Sequence, residues 1–162
     1  MSLLEDSNNF RIFKYLFKKL AHMAFDLMLV DDNEEILDAT ETLAKLVVLD
    51  KPDERYDLHI IKFKSGVEAL QYLREHADDL PRGYLVDMRL AYSDEELASP
   101  LEIYRFLEQH NATKHFKFYT GHISEHDRGV QIETGAEILL KLRDSDKLRD
   151  FLGELARNKS RS

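Results

Sequence analysis

Five side chains suited to phosphoryl chemistry lie far apart in this sequence, each at the end of a short apolar run. They are Asp31 and Asp32 in LMLVDDNEEIL, Asp87 in YLVDMRL, Thr120 in FKFYTGH and Lys141 in EILLKL. Three carboxylates without a thiolate form a hard oxygen donor set that suits Mg²⁺. With that ion bound, Asp87 can stay ionised and attack phosphorus, while Thr120 and Lys141 hold the oxygens of the transferred group.

These residues can act together only if the fold brings them to one place. Apolar runs predict five strands, at 25–30, 58–63, 84–88, 116–120 and 137–142. Helical periodicity predicts five helices between and after them, at 34–49, from 65 to the turn at 78–83, and at 100–109, 126–134 and 146–156. This alternation predicts an α/β, doubly wound parallel sheet with helices on both faces. Because ligands bind beyond the carboxyl ends of parallel strands, the five side chains are predicted to converge there.

Composition and charge restrict the class of protein. A chain of 162 residues makes one domain, and it has no cysteine, which excludes disulfides and thiolate metal sites and favours the cytoplasm. No apolar run approaches the ~20 residues of a membrane span, and a secretory signal is lacking. Residues 1–24 carry four Lys/Arg and two Asp/Glu, a charge of +2. Because the whole chain carries −8, the remaining residues carry −10, and this negative charge argues against binding to nucleic acid.

The order and approximate spacing of five segments resemble the receiver domain of two-component response regulators over about residues 25–158. The segments are LVDDNEE, KSGVEALQYLREH, LVDMRL, YTGH and TGAEILLK. The resemblance implies a flavodoxin-like fold with strand order 2-1-3-4-5. It also implies a phosphorelay function, in which Asp87 accepts a phosphoryl group from a histidine kinase or a histidine phosphotransfer protein. Thr120 and Lys141 would contact that group and couple it to docking on a downstream protein.

The resemblance also implies a metal site and two tuning positions. Mg²⁺ would bind Asp31, Asp32, Asp87 and the backbone carbonyl of Arg89. The Arg89 and His122 side chains would influence how long the acyl phosphate survives attack by water. Because a guanidinium can pair with phosphoryl oxygens and crowd the attacking water, slow self-dephosphorylation is predicted, although ordinary solvation of both side chains is the alternative. Such a chain catalyses only its own phosphorylation and dephosphorylation.

Three features depart from the family pattern. The loop after Asp87, DMRLAYSDEELASP, is long and acidic, and it alters access to the site unless it is a tolerated surface insertion. Leu142 replaces the proline that usually follows the lysine, so a trans peptide is expected there, followed by a rearranged loop. Ile138, or Leu139 with a different gap, stands where receivers carry an aromatic ring. The output mechanism therefore stays open.

Three other functions fit parts of the sequence. An adaptor that binds partners without regulated phosphorylation is favoured by the three departures but opposed by the costly cluster of polar groups. A haloacid-dehalogenase-like phosphatase would need Asp-x-Asp after the first strand, a spacing that the sequence lacks. HISEH, from His122 to His126, fits a zinc hydrolase motif, but its helix is expected to begin only after His122.

The two ends of the chain are predicted to lie outside the receiver region. Phe10, Phe13, Leu16, Phe17 and Leu20 recur at helical spacing and predict an amphipathic helix in residues 1–24. That helix is expected to pack on its own domain or on a second copy in a homodimer, with a membrane surface less favoured. With only a tail at 159–162 after the last helix, no output domain is expected.

Overall fold

The computed structural model describes residues 11–12, 24–49, 57–90 and 99–157. Strands and helices alternate along the chain: β1 (Ala24–Val30), α1 (Glu34–Leu49), β2 (Asp57–Phe63), α2 (Gly66–Glu75), β3 (Gly83–Val86), α3 (Pro100–Gln109), β4 (Phe116–Thr120), α4 (Glu125–Thr134), β5 (Glu137–Leu140) and α5 (Ser145–Arg157). The strands form one parallel sheet in the order β2-β1-β3-β4-β5. The predicted fold class and strand order are confirmed.

Apolar side chains on the two faces of the sheet form two separate cores. In β1, Leu27 and Leu29 pack with α1 and α5, whereas Met28 and Val30 pack with α2, α3 and α4. Successive side chains along a strand point to opposite faces. The residue that follows Val30 therefore points toward α1 and α5, and so does the residue that follows Val86 of β3. Those two residues are Asp31 and Asp87, two of the three predicted site carboxylates.

Local capping interactions fix where the helices near the site begin. Ser99 and Glu102 form a capping box before α3, with Pro100 in the first turn, and Ser124 and Asp127 form another before α4. Such reciprocal bonds satisfy backbone N–H groups that lack helical partners. Because α4 begins at Glu125, His122 lies before the helix, as expected, and the zinc hydrolase motif lacks its helical geometry.

Strands β3 and β5 end earlier than the sequence predicted. The last residues of the ladder are Val86 and Leu140, so Asp87 and Lys141 stand just beyond it. After β5 the chain turns at once, because the N–H groups of Arg143 and Asp144 donate to the carbonyl of Leu140 at 3.3 and 3.0 Å. That turn ends the strand, after a last bond to β4 from the N–H of Lys141.

Some of the sequence predictions fall outside the described residues. These are the acidic loop at 91–98, the tail at 159–162 and the N-terminal amphipathic helix, apart from Arg11 and Ile12, which are helical. The boundaries 1–24, 25–158 and 159–162 stay predictions. In the described ranges, no helix combines the length and apolar character needed to cross a bilayer.

Candidate functional site

Backbone hydrogen bonds fix Asp31, Asp87 and Lys141 at the carboxyl edge of the sheet. Each residue directly follows a strand, and its N–H donates to the carbonyl of the last residue of a neighbouring strand. The distances are 3.0 Å for Asp31 to β2, 2.8 Å for Asp87 to β1 and 2.8 Å for Lys141 to β4. Since these bonds hold the main chain on both sides of the centre, the three side chains project from a rigid frame.

Three carboxylates meet at this edge. Asp31, Asp32 and Asp87 each offer an oxygen, and these oxygens lie within 4.8 Å of one another. Asp31 and Asp87 are buried, whereas Asp32 is exposed. Hard oxygen donors in this number, one of them open to solvent, fit a divalent cation that keeps some of its water.

The ammonium group of Lys141 lies among these carboxylates. Its Nζ is 2.5 Å from Oδ2 of Asp31 and 3.2 Å from Oδ2 of Asp87, and its side chain is 11% exposed. Oδ1 of Asp31 accepts from the N–H of Asn33 at 2.9 Å, but the buried Oδ2 accepts no hydrogen bond of regular geometry from the described residues and has only the Lys141 ion pair. One ammonium against three carboxylates leaves negative charge for a cation to balance.

Burial favours the protonated form of the Asp87 carboxyl. Desolvation raises the pKa of the Asp87 carboxyl above its ordinary value, and the negative charge of Asp31 raises the pKa further. Lys141 and the N–H of Arg89, which donates to Oδ1 at 3.2 Å, lower the pKa without cancelling the effect of burial. A second cation beside Asp87 would favour its ionised, nucleophilic form.

The remaining predicted residues surround this centre. Thr120 is fully buried at the end of β4, and its hydroxyl donates to the carbonyl of His122 at 3.2 Å. The side chain of His122 is exposed. The Arg89 guanidinium reaches toward α4, where it lies 3.9 Å from Oδ2 of the buried Asp127. Thus the acids and Lys141 converge closely, whereas the side chains of Arg89 and His122 point elsewhere.

Two features of the site were missed from the sequence. The ring centroid of Tyr119 lies 5.8 Å from Nζ of Lys141, and the carboxylate of Asp127 is available to Arg89. The tyrosine directly before Thr120 in FKFYT was the available signal for Tyr119. The peptide between Lys141 and Leu142 is trans, as expected, and Leu142 has a φ of 67°, which reverses the chain there.

Solved structures that resemble this architecture include response regulator receiver domains. A receiver domain protein from Clostridium thermocellum is 18% identical, with 84% of this chain and 97% of that chain covered and a TM-score of 0.62. The receiver domain of a putative Luxo repressor protein from Vibrio parahaemolyticus is 19% identical over 85% of this chain and 93% of that chain, with a TM-score of 0.58. The chain has the receiver-domain fold.

The Mn²⁺-bound form of response regulator Rcp1 has the same receiver-domain fold. It is 20% identical, with 81% of this chain and 91% of that chain covered and a TM-score of 0.54. No protein-family model and no curated protein matches the sequence. At these identities the similarity is one of fold, so the chemistry of the site has to be argued from the residues of this chain.

Proposed function

We propose that this chain is a phosphoacceptor of a two-component system or phosphorelay, with Asp87 as the phosphorylated residue. The observation that carries the proposal is the close approach of three carboxylates and Lys141 at the carboxyl edge of a receiver-domain sheet. An acidic cluster elsewhere on the surface would need no buried ammonium group. In parallel α/β sheets, this edge is the usual position of a ligand site.

The proposed reaction is a phosphoryl transfer between two proteins. A carboxylate oxygen of Asp87 attacks the phosphorus of a phosphohistidine, and a new O–P bond forms as the P–N bond breaks. The electron pair of the broken bond stays on the imidazole nitrogen, which then takes a proton from solvent. Because the protein does little covalent chemistry in such a transfer, positioning and charge compensation provide most of the catalysis.

Divalent metal binding is part of the proposal, with Mg²⁺ as the ion. Asp31, Asp32, Asp87 and the backbone carbonyl of Arg89 would hold it, and Oδ2 of Asp31, buried without a regular hydrogen bond, supports this donor set. A bound divalent ion would supply positive charge beside the nucleophile and the phosphoryl oxygens. Lys141 would pair with a phosphoryl oxygen, and the hydroxyl of Thr120 would donate to another.

Phosphorylation would change the charge at one buried position and so alter a docking surface. An acyl phosphate carries about −1.5 to −2 charge at neutral pH, on the general values for phosphorylated side chains, where the ionised carboxylate carried −1. That charge would draw Lys141 away from Asp31 and compete with the present hydrogen bond of Thr120. The output is a protein–protein interaction with a downstream target.

Reaction with a small phosphodonor tests the proposal. Purified protein is incubated with acetyl phosphate, with and without Mg²⁺, and its intact mass is measured. A gain of one phosphoryl group is expected only with the metal, in the wild type and in Asp150→Asn, a control on the exposed side of α5, but not in Asp87→Asn. Absence of any gain in the wild type would favour the phosphorylation-independent adaptor instead.

A further inference from the structure

Tyr119 and Lys141 are neighbours on one face of the sheet. Strands β4 and β5 pair so that Tyr119 stands opposite Leu139, whose side chain belongs to the core beneath α1 and α5. Lys141 is two residues beyond Leu139, and side chains two apart on a strand point to the same face. The tyrosine ring and the lysine stem are therefore diagonal cross-strand neighbours, a spacing that long side chains can bridge.

The ring of Tyr119 lies beneath the ammonium group that joins the acids. Nζ of Lys141 is 5.8 Å from the ring centroid, within the range of a cation–π interaction. Tyr119 is partly buried against the core formed with α1 and α5, so the ring is held by packing. Ile138, which points to the opposite face of the sheet, belongs to the other core.

The phenol of Tyr119 packs on the side of the sheet that α1 covers. Thr40, whose side chain is buried on that helix, lies near the phenol. Oγ1 of Thr40 donates to the carbonyl of Ile36 at 2.7 Å. Burial raises the pKa of the Tyr119 phenol, which keeps it protonated.

We infer that Tyr119 is a positioning residue for Lys141, with its ring holding the ammonium group between Asp31 and Asp87. A lysine side chain has a flexible stem and loses considerable rotamer freedom when it is fixed. A ring that attracts the ammonium from below restricts its positions to those near the two carboxylates. An aliphatic residue at 119 could fill the same space without attracting the charge. The effect expected on phosphorylation rests on the proposed function, whereas the contact itself does not.

A nuclear magnetic resonance experiment detects the contact independently of activity. Protein labelled with ¹³C at lysine Cε is recorded without metal, and the Lys141 signal is assigned by its loss in Lys141→Arg. Because protons above an aromatic ring are shielded, the ε-protons of Lys141 are expected upfield of those of solvated lysines, as are those of Lys117, whose Nζ lies 5.9 Å from the Phe151 ring centroid. The displacement of the Lys141 signal should persist in Tyr119→Phe and in the control Tyr72→Leu, which removes a ring from α2, and disappear in Tyr119→Leu.

The rate of phosphorylation by acetyl phosphate and Mg²⁺ measures the consequence. Tyr119→Phe, which keeps the ring, is expected to retain the wild-type rate within about twofold. Tyr119→Leu is expected to be about two- to fivefold slower, which corresponds to the ~0.5–1 kcal/mol of an exposed cation–π interaction. A wild-type rate in Tyr119→Phe beside a reduced rate in Tyr119→Leu would show that the aromatic ring, and not packing in general, is responsible.

The outcomes distinguish this inference from the proposed function. An upfield signal in a wild type that takes no phosphoryl group would support the contact while removing the phosphoacceptor function. A Tyr119→Leu variant with an unchanged Lys141 signal and rate would overturn the inference. If that variant does not fold, the wild type decides, since a Lys141 signal at the position of an ordinary solvated lysine would equally overturn it.

Discussion

Lys141 is paired more closely with Asp31 than with Asp87. Its Nζ is 2.5 Å from Oδ2 of the first residue and 3.2 Å from Oδ2 of the second. The ammonium thus compensates chiefly the carboxylate of Asp31, one of the proposed metal ligands. Under the proposed function, metal binding makes this pairing unnecessary, and Lys141 becomes available to the phosphoryl group on Asp87.

Replacement of Asp87 by asparagine is expected to stabilise the metal-free protein at neutral pH. Burial raises the pKa of this carboxyl above its ordinary value of 3.8, so the folded state holds the proton more tightly than the unfolded state. Stability therefore falls as pH rises from 3.8 through the folded-state pKa, and the penalty is complete above it. Asp87→Asn removes that penalty while keeping the shape of the side chain.

Thermal unfolding in a metal chelator, as a function of pH, measures this effect. The melting temperature of Asp87→Asn should exceed that of the wild type at neutral pH, and the difference should shrink on acidification. Asp150→Asn, an exposed position on α5, serves as the matched control and should follow the wild type. An Asp87→Asn variant less stable than the wild type at neutral pH would contradict the claim that the buried, ionised carboxylate of Asp87 destabilises the fold.

Mg²⁺ is expected to raise the melting temperature of the wild type. An ion that binds only the folded state adds about 2.7 kcal/mol of stability at a concentration one hundred times its dissociation constant. Asp32→Ala removes the exposed ligand of the trio and should shift the titration to higher Mg²⁺ concentration. Glu35→Gln, an exposed acid in the first turn of α1, is the control. Equal titrations for both variants would exclude Asp32 as a ligand.

The positions of the site residues along the chain were predictable because local signals place them. Each lies at the end of an apolar run, and the cores on both sides of the sheet explain why the runs of β1 and β3 lack alternation. The serine before α4 and the proline in the first turn of α3 likewise mark helix starts. The order of the strands, in contrast, came from the family resemblance rather than from periodicity.

The contacts within the site were not predictable from local signals. Tyr119 reaches Lys141 only because β4 and β5 pair with Tyr119 opposite Leu139, and that register is set by long-range packing. The pairing of Arg89 with Asp127 similarly joins a loop after β3 to a helix after β4. Sequence patterns indicate which edge a residue occupies, whereas the partner it meets there depends on tertiary structure.

Removal of the Arg89 side chain is expected to accelerate loss of the phosphoryl group. In the unphosphorylated state the guanidinium lies 3.9 Å from Asp127, and it is 53% exposed, so it can turn toward a new anion on Asp87. An interaction of such exposed groups is worth about 0.2–1 kcal/mol, which corresponds to at most about fivefold in rate. Decay of the phosphorylated mass after removal of the donor measures the rate.

Arg105→Ala provides the matched control for Arg89→Ala. Arg105 also pairs with a carboxylate of α4, Glu133, and is similarly exposed at 56%, but it does not flank the acids. The decay rate of this control should equal that of the wild type. If Arg89→Ala lost phosphate at the wild-type rate or more slowly, the predicted protection from water would be wrong.

His115 is expected to make the fold less stable below neutral pH. Burial, with the positive charges of Lys114 and Arg82, lowers the pKa of this imidazole below its ordinary 6.5, and Lys117 contributes to the same effect while Glu154 opposes it. The unfolded state therefore binds the proton more readily, and stability is lost as pH falls through about 6.5 toward the folded-state pKa.

Chemical unfolding between about pH 7.5 and 5.5 tests the role of His115. His115→Gln, which cannot titrate, should show a smaller loss of unfolding free energy across this range than the wild type. His126→Gln, an exposed histidine on α4, should keep the wild-type dependence. Identical pH dependence for His115→Gln and the wild type would assign the acid sensitivity to other groups.

Chemical mapping of the phosphorylated residue tests the central claim most directly. Protein treated with acetyl phosphate and Mg²⁺ is reduced with borohydride, which converts an aspartyl phosphate to homoserine, and its peptides are sequenced by mass spectrometry. Homoserine at position 87, absent when Mg²⁺ is omitted, is the predicted result. Homoserine at Asp31 or Asp32, or an unmodified Asp87 in protein whose mass has increased, would contradict the assignment of Asp87 as the phosphoacceptor.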